Sequence, residues 1–199
     1  MSAAKPNKSK DPYSLNYYLI ASGNSPERLS PAKNTPATLS EVPMKTHRYE
    51  ITTDWTGNDG TGTATYKGYR RDHTISTAGK PAIPGSSDPN FRGDPARWNP
   101  EEMLVASLST CHMLWYLHLC SVNHITVVAY RDAALGEMEE APGGNGKFVR
   151  VELRPVVTIS AGDRAKALEL HEEAHRYCFI ANSVNFPVET AGEVMEQQT

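Results

Sequence analysis

The chain has 199 residues, a formal net charge of −3 and 39% hydrophobic residues. That length fits one domain plus an extension, the apolar share is enough for a packed core, and the charge offers no basic face for nucleic acid or an anionic membrane. Three cysteines are too few for a disulfide framework, and the start MSAAKPNKSKDPYSLNYYLI lacks the apolar run of a secretory signal, so a reducing, cytoplasmic setting is expected, where cysteine chemistry is redox or catalytic.

Residues 1–43 carry Pro6, Pro12, Pro26, Pro31, Pro36 and Pro43 among many Ser, Asn and Lys, without a periodic apolar face. Such a segment buries too little surface to offset its ordering entropy, and a disordered or loosely docked extension is expected there. The domain is expected over 44–199. THRYEITTDW alternates and is rich in β-formers; with the turn TGNDGTG and the run TATYKGY it predicts a β-hairpin. RRDHTIST (70–77) predicts a third strand. Residues 78–98, with Pro81, Pro84, Pro89 and Pro95, predict a long loop of the kind that carries function. A helix follows over about 100–122. A strand begins at HITVVAYRDAALGEME, APGGNG is a turn, and KFVRVELRPVVTIS (147–160) is a strongly β-patterned strand. A second helix is expected from Asp163 as N-cap to about Asn182, and FPVE (186–189) leads to a short last strand. Strands, helix, strands, helix give an α+β fold with largely antiparallel sheet.

The opening of the first helix reads NPEEMLVASLSTC. Asn99 is a good N-cap, Pro100 suits the first helical position, and Glu102 at N3 completes a capping box. Glu101 has no such structural task. From Met103 to Cys120 there is no Asp, Glu, Lys or Arg; the length approaches a membrane span, but Ser107, Ser109, Thr110, His112 and His118 favour a buried central helix instead. Leu104, Leu108, Cys111, Trp115 and Leu119 share one stripe. A buried free cysteine is usually an inert small hydrophobe. Cys111 lies about 15 Å past the helix start, beyond the reach of the helix dipole, so a reactive thiolate there needs a cation from elsewhere; Arg92 and Arg97 in the preceding loop are the candidates, with Arg71 behind them. In the second helix Ala167, His171, Ala174, Cys178 and Ala181 form another stripe. If the cysteines meet, Cys111 is the nucleophile and Cys178, at the partly negative end of its helix, the resolving thiol.

These residues resemble the OsmC/Ohr family (osmotically inducible protein C and organic hydroperoxide resistance protein): an Asn-Pro-Glu-Glu helix start, a cysteine ten residues after the first glutamate, and a second cysteine late in the second helix, inside HRYCFIANS. The resemblance covers about 45–190. It implies an OsmC-like fold with two core helices in an intertwined homodimer, active sites at the subunit interface, and a cysteine-based peroxidase needing no cofactor and no metal. Cys111 would attack an organic hydroperoxide, Cys178 would resolve the product to a disulfide, and a dithiol reductant, a lipoyl protein or similar, would reopen it. Glu101 would position an arginine, Arg92 before Arg97, that stabilises the thiolate. Members often have Cys-Pro at the second site; here it is Cys178-Phe179.

Other patterns point elsewhere. Cys111, His112, His118, Cys120 and His124 project around one helix and cannot converge on zinc alone. His112 lies about 100° from Cys111 and reads as a hydrogen-bonded core or interface residue. The TGNDGTG turn lacks a phosphate-loop lysine. HEEAH places His171, Glu172 and His175 in the metalloprotease pattern H-E-x-x-H, which makes a zinc hydrolase one rival. A non-catalytic module that binds a hydrophobic ligand is the other.

Overall fold

The computed structural model describes residues 45–198; the expected disordered extension over 1–43, with its YYLI run, lies outside the described residues. The chain divides into two units, Met1–His47 and Arg48–Thr199, and all that follows concerns the second.

Strand β1 (Thr52–Trp55) pairs antiparallel with β2 (His73–Ser76), and β2 with β3 (Ile83–Gly85), in a three-stranded sheet. The expected hairpin is therefore corrected. TATYKGY forms turns, and β1 takes RRDHTIST as its partner, with Trp55 opposite His73. The intervening chain closes on itself: Asn58 Oδ1 accepts from the amides of Gly60 and Gly62, both at positive φ, where glycine alone is unstrained. Arg71 donates to the carbonyls of Tyr66 and Tyr69 and lies over both rings. The long loop is shorter than expected, because β3 and a 3-10 turn at Pro89–Phe91 lie within it.

Helix α1 spans Pro100–Val122, and both arms of the capping box form: Asn99 Oδ1 accepts from the Glu102 amide at 2.7 Å and Glu102 Oε2 from the Asn99 amide at 3.2 Å. Strands β4 (Thr126–Asp132) and β5 (Leu135–Glu140) follow, then β6 (Gly146–Leu153) and β7 (Pro155–Ala161). The run 147–160 is thus two strands, not one. Pro155 has no N–H to donate, and the Arg154 amide turns aside to Asp132 Oδ1 at 2.7 Å. The other oxygen of Asp132 accepts from Ser109 Oγ at 2.5 Å, so the strand break is tied to α1. Helix α2 (Arg164–Tyr177) starts at the expected cap, Asp163, and ends five residues before Asn182. The last strands, β8 (Val188–Thr190) and β9 (Glu193–Glu196), pair parallel with β6 and β7, giving sheets ordered β4-β7-β9 and β5-β6-β8. The fold is α+β, with antiparallel pairs β1–β2, β2–β3, β4–β7 and β5–β6 and parallel pairs β6–β8 and β7–β9.

Two apolar clusters hold this frame. Tyr116, Leu119 and Cys120 of α1 pack with Val157, Ile159 and Val194 of one sheet and Ala167, Leu170 and Ala174 of α2. Leu108 packs with Val151 and Leu153 of the other sheet. Each fully buried leucine contributes about 1.5–3 kcal/mol. α1 therefore spans both clusters, and it carries Cys111 across the junction between them.

Candidate active site

Cys111 sits half-buried in the middle of α1, and Cys178 is buried at the C-cap of α2, where the chain turns extended at φ −66° and ψ 107°. The fold brings the two close enough to interact: Cys111 is among the groups that raise the Cys178 thiol. Both are free. Burial, with a smaller push from the Cys111 sulfur and against the pull of the Ala181 and Ile180 amides, raises the Cys178 thiol to about 11. The Ala181 N–H donates to Cys178 Sγ at 3.4 Å. Cys178 is therefore a neutral thiol at pH 7, suited to resolving rather than initiating. Aromatic rings wall this pair. Trp115, one turn beyond Cys111, stacks on Tyr177 at 5.1 Å and meets Phe179 edge-on at 5.6 Å.

Glu101 stands at the start of α1 with its Oε2 buried and without a hydrogen-bond partner among the described residues. It lines an open groove of about 630 Å³ with Trp98, Val105, Ser109, Asp132 and Phe148; neither cysteine lines that groove. Among the described residues no arginine meets Glu101. Arg97, the second candidate, is ion-paired to Asp94 at 3.4 Å and Asp72 at 3.8 Å. Arg92, the first, lies over the Tyr66 ring at 5.8 Å. Arg71 is committed to Tyr66 and Tyr69.

The buried face of α1 is Leu108, His112, Tyr116, Leu119 and Cys120, one position round from the expected stripe of Leu104, Leu108, Cys111, Trp115 and Leu119. His112 is consequently fully buried, and its Nε2 pairs with His171 Nδ1 of α2 at 3.1 Å. Tyr116 stacks on His171 with centroids 4.0 Å apart. Burial pulls both imidazoles down to about 4, and Asp132 only partly offsets this at His112. A pairing across two helices leaves no local pattern in the sequence; the visible signal was His112 at i+4 from Leu108 and i−4 from Tyr116. This pairing also occupies the first histidine of HEEAH: Gly192 packs so near that a Cβ there would come within 2.7 Å of His171 Nε2, and no group of three metal-ligating side chains gathers among the described residues.

The comparisons with known proteins bear on this arrangement. A family model described as OsmC-like protein matches residues 93–191, a span that includes Glu101, Cys111 and Cys178. An OsmC-like protein of unknown function from Vibrio cholerae is 31% identical, with a TM-score of 0.67, covering 75% of this chain and all of the other. The chain belongs to the OsmC-like family. An organic hydroperoxide resistance protein from Elizabethkingia anophelis shares the fold at 20% identity and a TM-score of 0.54, over 77% of this chain and all of its own. One from Legionella pneumophila does so at 18% and 0.53, over 75% and 98%. No curated protein matches the chain. The OsmC-like match begins after β3, so the first sheet and the loop bearing Arg92 lie outside it.

Proposed function

We propose that the protein is a two-cysteine thiol peroxidase that reduces organic hydroperoxides in the reducing cytoplasm, working as a homodimer. The observation that carries this reading is the meeting of Cys111 with Cys178, two cysteines from different helices, with different exposure and beside an aromatic wall. The Cys111 thiolate attacks the outer oxygen of the hydroperoxide, breaking the O–O bond; it becomes a sulfenic acid and the alcohol departs after protonation. Cys178 then gives up its proton, its sulfur bonds to Cys111, and the hydroxyl leaves as water. A cellular dithiol reduces the disulfide and is itself oxidised.

Two features support a second copy. α1 is apolar around most of its circumference, yet Leu114 is 63% exposed and Val122 45%, a surface that a helix of this composition ordinarily covers. The buried Glu101 oxygen without a partner fits a guanidinium delivered from that copy. Arg92, which forms no ion pair among the described residues, remains ahead of Arg97 for this role.

One equivalent of an organic hydroperoxide, followed by thiol titration and intact mass, tests the reading. It expects rapid loss of two thiols with a Cys111–Cys178 link in the wild type, and a persistent sulfenic acid in Cys178→Ser. Untouched thiols would overturn it in favour of the non-catalytic binding module, for which the groove beside Trp98, Met138 and Phe148 is the candidate ligand site.

A further inference from the structure

The buried pair His112–His171 has no part in the chemistry above, although it joins the two elements that carry the cysteines. His112 follows Cys111 on α1. His171 lies on the same stripe of α2 as Cys178, about 10 Å earlier along the axis. Their nitrogens are 3.1 Å apart and their rings nearly coplanar, 4° from parallel. Tyr116 stacks on the His171 ring, and Gly192 of the β8–β9 turn backs onto it so closely that a Cβ there would come within 2.6 Å of Cδ2.

This arrangement is expensive. Two neutral imidazoles share one proton in the bond between them, and His112 Nδ1 and His171 Nε2 are left buried without partners among the described residues. Replacing both members of such a pair with apolar side chains of similar size is often neutral or stabilising. Stability therefore does not account for the pair. Geometry does. Much of the remaining contact between the helices is apolar, Ala167, Leu170 and Ala174 with Tyr116, Leu119 and Cys120, and Tyr177 against Trp115, and apolar burial is non-directional. An N–H···N bond does, since it weakens steeply when its length or angle departs from a narrow range. It fixes the axial register of one helix on the other.

We propose that His112 and His171 are positioning residues whose hydrogen bond sets the register of Cys178 on Cys111, and so governs disulfide closure rather than attack on the peroxide. The first step needs Cys111 with Glu101 and its arginine, but not Cys178. The second must bring the sulfurs to about 2.05 Å with Cβ atoms about 3.8 Å apart, and a small slide of α2 removes that geometry. The proposal rests on the two-cysteine reading for its kinetics, but its equilibrium readout stands apart from peroxidase activity.

The experiment compares wild type, His171→Leu, His112→Leu/His171→Leu and His171→Asn, each checked for folding by circular dichroism. Asparagine keeps a polar atom near the position of Nδ1, and the double variant leaves no orphan imidazole if the single one folds poorly. Sulfenic acid formation is followed by rapid mixing with an organic hydroperoxide and trapping with dimedone. Closure is followed by mass, and the Cys111–Cys178 disulfide is equilibrated against glutathione. The leucine variants are expected to form sulfenic acid at the wild-type rate but to close about tenfold more slowly. Their disulfide equilibrium constant should fall about tenfold, making the potential about 30 mV less negative. His171→Asn should restore both to within about twofold of wild type. Unchanged closure and potential in the leucine variants overturn the proposal, as does an asparagine variant as defective as leucine. A wild type inert to hydroperoxide would remove the peroxidase reading and leave the glutathione equilibrium to decide this one.

Discussion

Acidification should unfold this protein through its buried imidazoles before its carboxylates are reached. His112 and His171 titrate near 4 in the fold, against about 6.5 for an exposed imidazole. As pH falls from 6.5 the unfolded chain takes up protons that the folded one refuses, so the unfolded state is favoured and stability drops through this window. The contribution of the neutral imidazoles is fully present above 6.5 and is lost by the time the folded values near 4 are passed. A displacement of that size corresponds to about 3 kcal/mol for one imidazole, a large part of the 5–15 kcal/mol that typically holds a domain. The groups nearest the pair act in opposite senses: Asp132 favours the charged form of His112 and His175 disfavours it, while His112 disfavours charge on His171. Glu137 and Glu152 are held below the usual carboxylate range by Arg150 and Arg154; their contribution is present above that range and fades below it, on the acid side of the window. Urea unfolding between pH 7 and 4.5, at one protein concentration so that any association is held constant, isolates the pair. The wild type should lose several kcal/mol across the window, and His112→Leu/His171→Leu should be nearly flat. A double variant that loses as much as the wild type would refute the assignment of this acid sensitivity to the pair.

Two further outcomes follow from named contacts. Gly192→Ala places a Cβ 2.6 Å from His171 Cδ2 and should cost about 1–3 kcal/mol in overpacking, read as a lower urea midpoint; an unchanged midpoint would mean the β8–β9 turn yields freely. Glu101→Gln removes the charge from the buried unpaired oxygen and should slow sulfenic acid formation on the order of tenfold by reducing the thiolate fraction, with closure unaffected; an unaltered first step would separate Glu101 from the activation of Cys111.

What the sequence made legible was local. The start of α1 was readable to the residue because Asn99, Pro100 and Glu102 act within one turn of each other. The same holds for Asp163 at the start of α2. Where the outcome depended on distant partners, the reading slipped. The β-formers of 63–69 looked like a strand, but Tyr66 and Tyr69 are used instead to hold Arg71. The second helix looked longer because no glycine or proline marks its end. Asn182, read as its last residue, is outside it and donates to the carbonyls of Arg176 and Cys178, tying off the terminus. The buried stripe of α1 was misplaced by one position for a related reason: a helix apolar on nearly all sides offers several equally plausible faces, and only the packing of α2 and two sheets selects among them. The cysteine pair lay within reach of the family resemblance; the histidine pair beneath it did not.

The end of α2 also explains how Phe179 replaces the proline often found after the second cysteine. A residue before proline is driven out of the helical region into extended conformations, and Cys178 already adopts φ −66° and ψ 107°. The backbone therefore takes at Cys178 the shape that a following proline would impose, held here by the Asn182 side chain and by the Ala181 amide on the sulfur. Freed from that duty, residue 179 carries a ring that meets Trp115 edge-on. Trp115 is one turn from Cys111 on α1, so the substitution adds an aromatic contact between the two cysteine-bearing elements while leaving the bend at Cys178 in place. A tighter aromatic wall on one side of the thiol pair and a hydrogen-bonded histidine pair in the core work in the same direction. Both limit how far Cys178 can move relative to Cys111, while Cys111 itself stays only half-buried.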